Sequence, residues 1–544
     1  MTRSFLPSVV VALLLATAAL CTHPAVAVPA PPPAAADRPV VTTGQGRLAG
    51  HAEGRAEEFL GVPYARPPVG EGRFRAPVAA ADWSGVRPAV RQAPACLQFS
   101  PFGLRDPAEV SEDCLYLDVY RPRHARPGDR RPVLFWIHGG AYSQGTGTQF
   151  GGRTMAEQTG SVVVSINYRL GQLGYLAAAE IAREDPLGSG SFGLMDQLAA
   201  LRWTRENIAA FGGDPAGITL WGQSAGSASV CALLTAPRAA GLFARAVLQS
   251  GPCSLIRPPD SVRAAADARD FAVAAGCPDP AVRAACLRAA PTAALLAAAG
   301  TRPTAGPAFG DGLLPREPAA AIAAGAWHKV PVLIGSTRSE ARFFVALSRP
   351  HLTAAEYAAQ VRADFGPLAP QVLARYPVDD RQTPYDALSA VLTDSGFACQ
   401  TWRTAAVFAA QVPTFVYEFD DPRSPTLYGA QVPGVDMANG HSAELAYLHE
   451  FTMGDRPLDA GQVALADGMK RRWAAFARSG RPDLPGGVHW PRAGARGAVL
   501  VLDPAGSRVS TAFAAEHRCD FWAGAGVLGG AGPGGISRGA RGLR

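Results

Sequence analysis

Lysine is nearly missing from this chain. It occurs only at positions 329 and 470, so arginine supplies almost all of the 51 basic residues among 544. The bias fits a GC-rich genome and carries no chemistry. Dense charge is missing as well: charged residues make up 18% and the formal net charge is +6. Basic residues cluster only between Arg121 and Arg131 and at Arg538, Arg541 and Arg544. Solvated loops account for both clusters better than a nucleic-acid surface does. No cysteine pair has C-x-x-C spacing, which argues against a zinc or dithiol redox site. No segment after the first 27 residues approaches the length of a membrane span, and no internal repeat is found.

What is present is a globular composition, 48% hydrophobic, in a chain long enough to bury a large core. Met1 to Ala27 reads as a secretory signal. Arg3 gives the positive start, Val9 to Leu20 the apolar stretch, and Ala25-Val26-Ala27 the small-residue cleavage site. Leu20 before Cys21 argues against lipidation. The protein is therefore expected to be secreted after cleavage near Ala27, which removes one positive charge and leaves +6 − 1 = +5. Residues 28–39 read as a flexible leader and 523–544 as a disordered, glycine-rich tail. Between them, 40–522 reads as one domain, because strand and helix patterns alternate without a linker. The cysteines at 96, 114, 231, 253, 277, 286, 399 and 519 remain after cleavage and would meet an oxidising compartment. Spacing alone does not give their pairing.

The chain is organised around Ile218-Thr219-Leu220-Trp221-Gly222-Gln223-Ser224-Ala225-Gly226. A short β-rich run enters G-x-S-x-G, and small residues and helix formers from Ala225 to Leu234 leave it. Strand, sharp turn and helix in that order form the context of a nucleophile elbow. Cys231 falls on that helix, where it suits a small buried hydrophobe. Further apolar runs at 132–137, 161–166, 244–249, 330–334, 414–419 and 499–502 read as strands with helical segments between them. Continuous apolar strands alternating with helices imply a mainly parallel sheet covered on both faces. The alanine-rich stretch 255–325 reads as a helical excursion over that sheet.

A serine needs a base to become a nucleophile, and the base needs an acid to orient it. In an elbow-type hydrolase these follow the serine in the order acid, histidine, each beyond a strand. Glu340 in Gly335-Ser336-Thr337-Arg338-Ser339-Glu340 follows the run 330–334; Asp394 and Asp311 are alternatives without a comparable strand before them. His441 follows the run 414–419. His449 lies on the next helix and suits surface or packing, and His138 belongs to the loop His138-Gly139-Gly140-Ala141. That loop and Ala225 offer backbone N–H groups for a developing oxyanion.

With these residues in view, the chain resembles the type-B carboxylesterases, which include the cholinesterases and bacterial esterases. The likeness runs over about 40–522 and rests on FLGVPYARPPVGEGRFRAP, SEDCLYLDVYRP, WIHGGAYSQG, INYRLGQLGYLA and FGLMDQLAALRWTRENIAAFGGDPAGITLWGQSAGSASV. It implies an α/β-hydrolase with a large, mostly parallel central sheet flanked by helices on both faces. It implies Ser224, Glu340 and His441 as the catalytic residues, with an oxyanion hole from Gly140, Ala141 and Ala225. It also implies disulfides Cys96–Cys114, Cys277–Cys286 and Cys399–Cys519, with Cys231 and Cys253 left free. No cofactor or metal is expected. Three departures stand out: Gln223 replaces the usual glutamate, Ala141 stands where many members have glycine, and Leu97 to Asp113 holds no tryptophan. Cholinesterases keep a choline-binding indole in that last loop, where this chain offers only Phe99 and Phe102. The expected function is a secreted serine esterase acting on small neutral alkyl or aryl esters through an acyl-enzyme. Hydrolysis of another acyl bond (lactone, carbamate, amide) and a catalytically silent binding protein on the same fold are the alternatives.

Overall fold

The computed structural model describes residues 38–527 except 99–109, 186, 189, 255–258, 301–305, 427–431, 451–455 and 495–496. The expected signal (1–27), most of the leader, Phe99 and Phe102 lie outside the described residues. Contacts divide the chain at Pro39, and every described strand and helix lies in the second unit, Pro39–Arg544.

Eleven strands form the main sheet. In chain order they are β1 His51–Glu53, β2 Ala56–Pro63, β3 Tyr116–Pro122, β4 Arg131–Ile137, β5 Val162–Ile166 and β6 Gly213–Gln223. β7 Arg245–Gln249, β8 Val332–Thr337, β9 Thr414–Phe419, β10 Val499–Leu502 and β11 Arg508–Ser510 complete it. Their spatial order is β11-β10-β9-β8-β7-β6-β4-β5-β3-β2-β1. Every pairing from β5 across to β10 is parallel, and the pairings beyond either end are antiparallel. The mostly parallel α/β sheet expected from the apolar runs is the one observed.

Those runs are apolar because both faces are covered. Along β4, Val133, Phe135 and Ile137 join a core that includes Leu194, Leu198 and Leu201 of helix α1 (Phe192–Asn207) and Val230, Leu233 and Leu234 of helix α2 (Ala225–Thr235). Leu134 and Trp136 alternate to the opposite face, in a second core with Trp221, Phe415, Tyr417, Trp473 and Phe476. Burying side chains of this size contributes about 1.5–3 kcal/mol each. The excursion is helical as expected: Ser261–Ala274, Arg283–Ala289, Thr292–Gly300 and Pro318–Ala323 lie there, and Phe271, Leu287, Leu295 and Ile322 join the first core.

Two expectations need correction. Cys231 and Cys253 are not free: they form a fourth disulfide, beside Cys96–Cys114, Cys277–Cys286 and Cys399–Cys519. The resemblance carried a pairing pattern that has no counterpart for these two. In the fold, α2 faces the segment that leaves β7, which brings their Cα atoms to 5.5 Å. The tail does not begin at Ala523 either. A helix spans Cys519–Gly524 and a turn continues to Val527, held by the Cys399–Cys519 bridge, by fully buried Trp522 and by the bond from Val527 N to Trp522 O. Residues 528–544 lie outside the described residues.

Candidate active site

Parallel register places the expected residues at one edge of the sheet. Gly222 of β6 pairs with Ile137 of β4, Gln223 with Gln249 of β7, and Gln249 with Gly335 of β8. The strands therefore release their connecting segments side by side at their carboxyl ends, where open α/β sheets place their sites.

Ser224 breaks the chain direction between β6 and α2 with φ 56° and ψ −123°. A non-glycine residue held there costs on the order of 1–3 kcal/mol and persists only where the surroundings fix it. They do. Ser224 N donates to Gln249 O at 2.9 Å, and Ala228 N donates to Ser224 O at 3.0 Å. A Cβ on Gly226 would lie 2.0 Å from Ile137 O, so only glycine lets the elbow press against the end of β4.

Beyond β4 the chain enters His138-Gly139-Gly140-Ala141. Gly140 has φ 103°, and a Cβ there would meet Gln144 O at 2.1 Å; Ala141 and Tyr142 are also left-handed. Gly140 O accepts from Ser143 N and Gln144 N at 3.0 and 3.1 Å, closing a tight turn. The loop abuts the elbow, because a Cβ on Gly139 would stand 3.0 Å from Ser224 Cβ. The N–H groups of Gly140, Ala141 and Ala225 have no partner among the described residues. That of Ala225 is one of the free donors at the start of α2.

Glu340 closes the turn after β8 and precedes helix α3 (Ala341–Ser348). It is fully buried. Its Oε1 accepts from Thr337 N at 2.8 Å, and its Oε2 lies 2.6 Å from His441 Nδ1. His441 N also donates to Glu340 O at 3.0 Å. This carboxylate assigns the Nδ1–H tautomer, which leaves Nε2 as the basic atom. The ring's hydrogen bonds go to Glu340 and to Gln223, not to Ser224: Gln223 Nε2 lies 3.3 Å from His441 Nε2 and donates to Ser442 Oγ at 2.8 Å. Contacts between a nucleophile and its base are often loose until substrate enters.

The alternative residues have other work. Asp394 bonds His517 and Tyr376, and Asp311 caps a turn through the N–H groups of Leu313 and Leu314. His138 stacks on Tyr168 at 4.4 Å. His449 is a packing residue, buried and stacked on Trp221 at 4.5 Å, and burial pushes its ring down to about 3.

Sequence reasoning missed two features. One is Glu444, fully buried three residues after His441, with Gln249 Nε2 donating to its Oε1 at 3.1 Å. Burial first, and the charge of Glu340 second, push its carboxyl up to about 8. At neutral pH it is protonated, so it adds no second charge beside Glu340. The other is a phenyl wall around the imidazole: Phe344 at 4.9 Å, Phe397 at 5.4 Å and Phe343 at 6.4 Å from the His441 ring. The pair Phe343-Phe344, three and four residues after Glu340, was the available signal. Among the described residues no group of His, Cys, Asp or Glu is arranged to hold a metal ion.

Known proteins carry the same architecture. The carboxylesterase family pattern matches residues 37–522. The para-nitrobenzyl esterase of Bacillus subtilis (strain 168) is 34% identical over 83% of this chain and 92% of its own length. The fumonisin B1 esterase of Sphingopyxis macrogoltabida is 34% identical over 84% of this chain and 85% of its own. The human cocaine esterase is 32% identical over 89% and 91%. A solved PNB esterase superposes with a TM-score of 0.73 at 31% identity, over 88% of this chain and 98% of the other. With a match that spans nearly all of the described chain and solved relatives of the same fold, this chain belongs to the carboxylesterase family and is a carboxylic ester hydrolase.

Proposed function

We propose that this carboxylesterase is exported and cleaves neutral alkyl or aryl esters through an acyl-enzyme on Ser224. The observation that carries the reading is the buried 2.6 Å contact between Glu340 and His441 beside the strained serine. In the first step Ser224 Oγ attacks the ester carbonyl and His441 Nε2 takes its proton. Glu340 holds the resulting imidazolium, and the N–H groups of Gly140, Ala141 and Ala225 receive the oxyanion. Each such donor is worth roughly 3 kcal/mol in the transition state. The imidazolium then protonates the departing alcohol. Water attacks the acyl group by the same route in reverse, and the acid leaves.

Gln223 enters this cycle as a neutral neighbour. Its amide must yield His441 Nε2 to the serine when substrate arrives. The phenyl groups of Phe343, Phe344 and Phe397 favour apolar or aromatic alcohol portions. Export is supported by the Met1–Ala27 pattern and by four disulfides, which persist in oxidising compartments. The test is a panel of acyl esters, with matched amides and lactones, on protein collected from the medium, together with fluorophosphonate labelling. Ester turnover and labelling that both vanish in Ser224→Ala are expected. Amide turnover above ester turnover, or labelling that survives the substitution, would refute the proposal.

A further inference from the structure

His517 plays no part in the steps above, yet it is 5% exposed with a carboxylate on each ring nitrogen. Nδ1 lies 2.6 Å from Asp394 Oδ1, and Nε2 lies 2.8 Å from Glu418 Oε1. A neutral imidazole has one N–H and can donate to only one of them. The imidazolium satisfies both. Burial pulls the ring down, but the two carboxylates outweigh it and hold it at about 9. The other charged groups of the cluster come from three sides. Arg518 Nη1 lies 3.5 Å from Asp394 and Arg338 Nη1 3.0 Å from Glu418, while Arg338 also meets Glu516 at 2.9 Å and Asp420 at 3.6 Å. Tyr376 donates to Asp394 at 2.7 Å, and burial keeps its hydroxyl far above the ordinary range.

The two carboxylates belong to elements that reach the Glu340–His441 pair from two sides. Asp394 opens a π-turn, Asp394–Ala398, between helices Pro384–Thr393 and Cys399–Ala409. Such insertions recur at functional sites. Just before it, Thr393 Oγ1 accepts from the N–H of Ala341, the residue after Glu340, at 3.0 Å. Inside it, Phe397 meets the His441 ring at 5.4 Å and stacks on Phe344 at 5.8 Å. Glu418 lies on β9 beside Phe419, whose carbonyl accepts from Arg338 N at 2.9 Å in the turn that ends at Glu340. A cation between Asp394 and Glu418 therefore joins the π-turn to the sheet.

We propose that His517 is a positioning residue of the ester site: clamped between Asp394 and Glu418, it fixes the Asp394–Ala398 turn and, through buried Phe397 stacked beneath it, the partly exposed Phe344 ring that an aryl ester meets beside His441. The proposal rests on the reading of Ser224 and His441 as the reacting groups. Its test compares kcat and KM for phenyl acetate and methyl acetate in the parent, His517→Gln, Phe397→Leu and the double variant, each checked for folding by near-UV circular dichroism. His517→Gln should raise KM for phenyl acetate about fivefold, the scale of a lost aromatic contact, with KM for methyl acetate unchanged within about twofold. In the Phe397→Leu background it should add nothing further. A fall in kcat shared by both esters, or effects that add in the two backgrounds, would overturn the proposal.

If His517→Gln does not fold, the parent answers instead. Its KM ratio, phenyl over methyl acetate, should rise as pH passes about 9. A flat ratio from roughly pH 7 to 10 would overturn the proposal. Fluorophosphonate titration counts the reactive serine independently, so loss of labelling at Ser224 would indict the site itself and not the role of His517.

Discussion

Gln223 touches the His441 ring and its neighbour at once, with its Nε2 3.3 Å from His441 Nε2 and 2.8 Å from Ser442 Oγ. A carboxylate here would attract both the imidazolium and a cationic alcohol, whereas the amide attracts neither through net charge. The kcat/KM values for a choline ester and its uncharged 3,3-dimethylbutyl isostere should therefore differ little, and Gln223→Glu should shift the ratio toward choline. A tenfold choline preference in the parent, about 1.4 kcal/mol, would contradict the neutral-ester reading. Glu340→Gln should lower kcat by about 10³–10⁴-fold, because the imidazolium loses its counter-charge, while Asp394→Asn leaves kcat within about threefold. The reverse ranking would reassign the acid. The meeting of Glu340 with His441 was legible in sequence because each follows a strand, after Ser224, in the expected order. Glu444 was not. A lone glutamate carries no mark of burial, and only the fold shows that burial and the nearby Glu340 raise its carboxyl.

At the scale of elements, helix α2 is fastened more firmly than the sequence implies. Cys231 of α2 bridges to Cys253, and Ser227 Oγ donates to Gly251 O at 2.6 Å, so the segment after β7 is tied to the elbow at two points. With a sequence separation of 22, replacing both cysteines by alanine should cost about 3 kcal/mol in guanidinium unfolding. Alkylation of the denatured, unreduced protein should tag neither cysteine, and a tag on Cys231 or Cys253 would contradict the bridge. The strands of the parallel core were legible because residues buried on two faces leave long apolar runs. The Asp394–Ala398 π-turn and the Cys519–Gly524 helix were not. One depends on an inserted residue that no periodicity reveals, the other on Trp522 finding a buried seat.

Across the whole molecule, buried titratable groups set the pH at which the fold is most stable. Burial raises the Asp118 carboxyl to about 7 and, with the charge of Glu340, the Glu444 carboxyl to about 8, while its carboxylate partners hold His517 at about 9. Each binds its proton more tightly in the fold than in the unfolded chain, so stability falls as pH rises through these values. His449, pushed down to about 3, acts oppositely and removes stability as pH falls below its ordinary value of 6.5. Thermal unfolding midpoints should decline from mildly acidic pH toward 9, with a second decline in acid. His517→Gln should flatten the slope between about 7 and 9. A midpoint that climbs through that window would contradict these assignments. The architecture of both faces was legible from alternation alone. The polar clusters were not, because their members come from segments far apart in the chain, as Asp394, Glu418 and His517 do.

The most direct test of the central claim is rapid-quench mass spectrometry during turnover of a para-nitrophenyl ester. Initial release of up to about one equivalent of para-nitrophenol per chain is expected with a matching acyl mass on the peptide that holds Ser224, both abolished in Ser224→Ala. Turnover that survives in Ser224→Ala, or an acyl group on any other residue, would contradict it.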